Sequence, residues 1–65
     1  MLVIGYRNKE FDINKISNVL KKHLEISVVE ARSMAQTIKK GQSVKLPNDF
    51  VLEDDLKDLG IIIQS

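Results

Sequence analysis

The chain reads as an α+β fold, a two-layer α/β sandwich of order β-α-α-β-α-β with three helices on one face of a three-stranded sheet. Three observations predict it. Two consecutive runs carry apolar residues at helical spacing and are separated only by Glu25 and Ile26. A third, leucine-spaced run lies near the end, and short stretches rich in β-branched residues stand before, between and after the helical runs.

Met1 to Tyr6 favours extended backbone through Leu2, Val3, Ile4 and Tyr6, with Gly5 marking a bulge or a close contact. Arg7 to Phe11 is polar and continues as loop or strand. Asp12 is a candidate N-cap, because a short side chain with an acceptor oxygen can take the orphan N–H groups of a first helical turn. Ile13, Ile16, Leu20 and Leu24 then follow on one helical face. Ser27-Val28-Val29-Glu30 forms a capping box that opens a second helix, whose apolar positions are Val28, Ala31, Ala35 and Ile38. Its alanines predict close approach of the two helices. Lys39 and Lys40 suit the negative end of its dipole, and Gly41 offers a left-handed stop.

Ser43 to Leu46 alternates like a half-buried strand, and Pro47, Asn48 and Asp49 end it, which places it at an edge. Leu52, Leu56 and Leu59 mark one face of a third helix. Its early acids Glu53, Asp54 and Asp55 suit the positive end of the dipole, and Gly60 closes it. Ile61, Ile62 and Ile63 with Gln64 form the last strand, expected to be central or covered on both faces.

The 65 residues form a single domain, residues 1–65. A chain of that length buries only about 60% of its unfolded surface, so stability is modest. A composition of 43% hydrophobic and 29% charged residues is that of a folded globular domain. The absence of cysteine excludes disulfides, thiolate metal sites and thiol catalysis. No apolar run approaches the roughly 20 residues of a membrane span, and no basic leader precedes the apolar Met1 to Ile4. A soluble cytoplasmic protein with no membrane partner is expected.

Charge is uneven. Residues 1–45 hold nine Lys and Arg against four acids, a balance of +5, whereas from Leu46 onward five acids face Lys57 alone, a balance of −4. Such a molecule has two electrical poles, and its basic part is either a solvated surface or a binding face.

Chemistry-bearing constellations are sparse. A nucleophile needs a base beside it, and the lone histidine, His23, sits next to the apolar position Leu24 with no serine in a motif of known mechanism. Asp54 and Asp58 share a helical face with Asp55 nearby, but no oxygen-ligand loop accompanies them, and an acidic first helical turn accounts for them. The glycines at 5, 41 and 60 lack phosphate-loop spacing. No enzyme activity, cofactor or metal is expected.

The stretch from Ile16 to Arg32, with Leu24, Ile26 and Val28 alternating before Val29-Glu30-Ala31-Arg32, resembles the heart of the C-terminal domain of the bacterial ribosomal stalk protein. The ending Asp54-Asp55-Leu56-Lys57-Asp58-Leu59-Gly60 is similar to that family's last helix. Val19-Leu20-Lys21-Lys22 through Ile38-Lys39-Lys40-Gly41 also resembles the helical hairpin of adaptors that deliver substrates to Clp proteases, a family of the same fold. The stalk resemblance implies a hairpin surface that docks larger proteins, with Lys21 and Arg32 at basic positions of that site. Ser17 and Asn18 stand where the stalk site has an apolar and a basic residue. The adaptor resemblance places Asn8, Glu10 and Asp12 in the loop that grips a substrate N-terminus, without the histidine that family carries on its second helix.

Lys15, Lys21, Lys22, Arg32, Lys39 and Lys40 lie on the hairpin, mostly off its apolar stripes. The expected function is a small adaptor or inhibitor that docks an acidic surface of a larger protein. Its candidate contacts are Lys21, Lys22 and Arg32, with Asn18, Gln36 and Lys39 at the margin. The alternative is a nucleic-acid-binding regulator using the same lysines on phosphates, which the few aromatics (Tyr6, Phe11, Phe50) and a pI near 8.0 make less favoured. The chain is expected to be a monomer or a weak homo-oligomer, self-association running through the open sheet face or the Ser43 to Leu46 edge.

Overall fold

A computed structural model describes residues 1–7 and 11–64. Asp12 opens α1 (Ile13–Leu24) by accepting the Asn14 and Lys15 N–H groups on its Oδ1, each at 3.1 Å. Ser27 opens α2 (Val28–Lys39) by accepting the Glu30 N–H on Oγ at 3.1 Å. The Glu30 carboxylate returns no bond among the described residues, so only the serine half of the capping box forms. Asp49, read from sequence as a strand terminator, also caps α3 (Phe50–Asp58), its Oδ1 taking the Val51 and Leu52 N–H groups.

The three helices share one side of an antiparallel sheet of order β2-β1-β3, made of β1 (Leu2–Tyr6), β2 (Val44–Lys45) and β3 (Ile61–Gln64). The predicted order β-α-α-β-α-β and fold class are those observed. Helix α2 packs on β1 and β2, α3 packs on β3, and α1 lies against both α2 and α3. Val3 pairs with Val44 and Ile63, so these residues share the helix-facing side. Leu2 pairs with Lys45 and Gln64 on the open side. The β1–β3 register shifts between Val3 and Gly5, leaving Ile4 in a bulge. Close packing is not the reason for Gly5, since a Cβ there would meet nothing within 4 Å.

The Ile61–Ile63 run is not central: β1 holds the centre and β3 forms an edge. Ile61 and Ile63 face the core and Ile62 the open side, so cover by α3 on one face satisfies the run. The β2 edge is where the sequence placed it, but shorter, at two residues.

Ten side chains form the core: Val3, Ile16, Leu20, Ala31, Ala35, Ile38, Leu46, Leu52, Leu56 and Ile61. The fully buried Ala31 and Ala35, with Ser17 buried opposite and its Oγ donating to the Ile13 carbonyl at 2.6 Å, let α1 and α2 approach closely. Val28, expected on the buried face, is half exposed because it occupies the first position of α2. No helix of the described residues is long and apolar enough to cross a membrane.

The α1–α2 turn is made without glycine. Glu25 caps α1 in the left-handed region, at φ 53°, where a Cβ costs roughly 1–2 kcal/mol and glycine's extra unfolded-state entropy offsets only part of that. Glu25→Gly is therefore expected to stabilise the domain by about 0.5–1 kcal/mol, read as a higher urea midpoint; a lower midpoint would show the turn unstrained. Gly41 and Gly60, at φ 83° and 87°, supply the left-handed stops expected of them after α2 and α3.

Candidate hairpin docking face

Side-chain direction on a helix follows from spacing, with residues three or four apart as neighbours. On α2, Val28, Arg32, Gln36 and Lys39 form such a row, with Val29 beside it, and all five are exposed. The two valines stand out, Val28 at 50% and Val29 at 77% exposure. On α1, Asn14 and Lys21, seven apart, share the flank turned toward α2. The Arg32 Nη2 donates to Asn14 Oδ1 at 2.9 Å, bridging the helices and holding the guanidinium over the groove between them. Among the described residues this bond engages one of its five N–H donors. Lys21, Arg32, Gln36 and Lys39 thus belong to one outer surface, floored by close helix packing and extended at its end by Val28 and Val29.

Asn18, four residues from Asn14 and three from Lys21, stands on the crest of α1 between the two flanks, and it also lines a shallow groove of about 340 Å³ with Lys15, Val19, Asp55, Asp58 and Leu59 of α1 and α3. Lys22, four residues beyond Asn18, falls on the far flank. All six predicted contact residues are exposed, and Lys22 alone is set apart by the α1 crest. Ser17 is buried between the helices and takes no part in a surface.

Beside that groove, His23 Nε2 lies 2.8 Å from Asp55 Oδ2. The histidine is mostly buried, 11% exposed against 41% for Asp55. The contact spans 32 residues of sequence and clamps the end of α1 to α3. It also occupies His23, while the Ser17 and Ser27 hydroxyls are spent inside their own helices. Asp55→Ala is expected to cost about 0.5–1.5 kcal/mol, the lower part of the hydrogen-bond range applying because the carboxylate is partly solvated. Asp54→Ala, on the exposed side, is the control, and equal unfolding midpoints for the two variants would rule out the clamp.

The acidic run is divided by the same geometry: Asp55 turns to His23, whereas Asp54 and Asp58 face solvent. No group of three His, Asp or Glu is arranged for a metal ion among the described residues. Asp12 is engaged as the α1 cap, and Asn8 and Glu10 of the same expected loop lie outside the described residues.

Tyr6 and Phe11 pack edge to face, ring centroids 4.7 Å apart, against the core, and the Tyr6 hydroxyl donates to the Lys39 carbonyl at 3.1 Å. Phe50, 85% exposed with Val51 at 60%, is instead on α3 among the acids. Sequence reasoning missed Val28, Val29, Phe50 and Val51 as surface features; their place in the first turns of α2 and α3, just after the caps, was the available signal. Among known proteins the chain matches no family model, and no curated protein or solved structure matches it significantly.

Proposed function

We propose that the domain is a small adaptor or inhibitor that docks an acidic surface of a larger protein through the outer face of the α1–α2 hairpin. The observation that carries this reading is the combination on one surface of a bridged arginine, further cations and exposed aliphatic side chains: Arg32, Lys21 and Lys39 with Val28 and Val29. Protein interfaces use this chemistry, with an apolar contact excluding water beside charged groups that steer and orient. Gln36 lies within the surface, Asn18 borders it on the α1 crest, and Lys22 contributes from across that crest. The resemblance to stalk C-terminal domains implies the same surface and supports the assignment.

A phosphate-binding role draws on the same lysines but lacks a stacking platform, because Tyr6 and Phe11 pack against the core and Phe50 stands among Asp49, Glu53 and Asp54. The test is affinity capture with the tagged domain, with and without nuclease. A protein retained after nuclease is expected. Loss of all retained protein after nuclease, with binding to nucleic acid that falls steeply as salt rises, would replace this reading with the nucleic-acid one.

A further inference from the structure

The exposed face of α3 carries Phe50, Val51, Asp54, Lys57 and Asp58. The ion pairs of the described residues are His23–Asp55 and Lys57–Glu53, so Asp54 and Asp58 have no cationic partner there. A large aromatic and a valine standing out of a surface helix need an account, and their spacing supplies one. On α3 the apolar pair Phe50 and Val51 precedes Asp54 by four and three residues. On α2 the apolar pair Val28 and Val29 precedes Arg32 by four and three. At about 1.5 Å rise per residue both charges lie about 4.5–6 Å beyond the residues of their apolar pairs.

We infer that the face of α3 docks on the hairpin face of a second copy of this chain, head to tail. In parallel register Phe50 and Val51 of one copy cover Val28 and Val29 of the next. Asp54 then meets Arg32, with Lys21 beside it, and Asp58 falls one turn on, opposite Gln36. The charge poles of the sequence are thus complementary between copies, and a net charge of only +1 sets up little overall repulsion. Because two different surfaces meet, the contact is heterologous and leaves both ends open, giving short chains rather than a closed dimer. The neighbour's α3 occupies the surface assigned above to the acidic partner. Self-association would therefore mask the docking face and partner capture would release it. The contact does not require that partner, so the two are tested apart.

Sedimentation of the purified domain over a concentration series is expected to show average mass rising at low salt and falling back at high salt. Arg32→Glu and Asp54→Lys should each weaken association by about tenfold or more, since each sets like charges face to face. Mixing these two variants should restore open chains of alternating copies, because Asp54 of the Arg32→Glu variant meets Arg32 of the Asp54→Lys variant and the two introduced charges pair at the next contact. The double variant Arg32→Glu/Asp54→Lys should associate again, and circular dichroism confirms folding throughout. Wild type that stays monomeric at low salt, association that survives in Arg32→Glu, or a mixture that stays monomeric overturns the inference.

Discussion

Leu56→Ala is expected to remove about half of the domain's stability. Leu56 has no exposed surface and, with Leu52, lies in the cluster through which α3 packs on α1 and β3, which contribute Leu20 and Ile61 to it. Truncating a buried leucine costs about 2–5 kcal/mol, the lost transfer term plus the cavity left behind. A 65-residue domain has about 3–10 kcal/mol in total on a per-residue scale. For a domain of this size each kcal/mol moves the thermal midpoint by about 4–8 °C, so a fall of about 10 °C or more is expected by circular dichroism. Val29→Ala, at an exposed position, should move the midpoint little. Equal midpoints for the two variants would mean that the ten-residue cluster is not the stabilising core.

The largest functional effect is expected from Lys21→Glu combined with Arg32→Glu. Both side chains are exposed, so the fold should survive, and the Asn14 bridge lost with Arg32 is a surface contact worth little. On the proposed docking face two cations become two anions opposite the proposed acidic partner. Like charges brought together across an interface cost several kcal/mol, so capture should fall by about a hundredfold or more. Lys15→Glu with Lys45→Glu changes net charge equally but lies off this surface, Lys15 beside the α3 groove and Lys45 on the open side of the sheet, and it should retain most of the capture. An equal loss in both pairs would point to general electrostatic attraction rather than a defined face.

The local signals of this fold were legible because each has a short-range cause. Asp12 and Ser27 cap where their side chains can reach orphan N–H groups, and Gly41 and Gly60 stop helices where the backbone turns left-handed. The periodic Ile16, Leu20, Ala31, Ala35 and Ile38 mark the buried faces. The place of β3 was not legible, since three β-branched residues satisfy an edge strand covered on one face as well as a central one. The His23–Asp55 clamp joins residues 32 apart, and no local pattern announces such a pairing. For the proposed docking face, composition and spacing gave the exposed cations. The division of Lys22 from Arg32 depends on which flank of α1 meets α3, which only packing decides.

The central claim is that the hairpin face, not the open sheet face with Leu2, Ile4 and Ile62, meets the partner. The most direct measurement is a backbone amide shift map of the isotope-labelled domain titrated with its captured protein partner. The account predicts that the largest changes centre on Lys21, Val28, Val29, Arg32 and Gln36, while the open sheet face stays quiet. Changes centred on Leu2, Ile4, Ile62 and Gln64, with the hairpin unmoved, would contradict it.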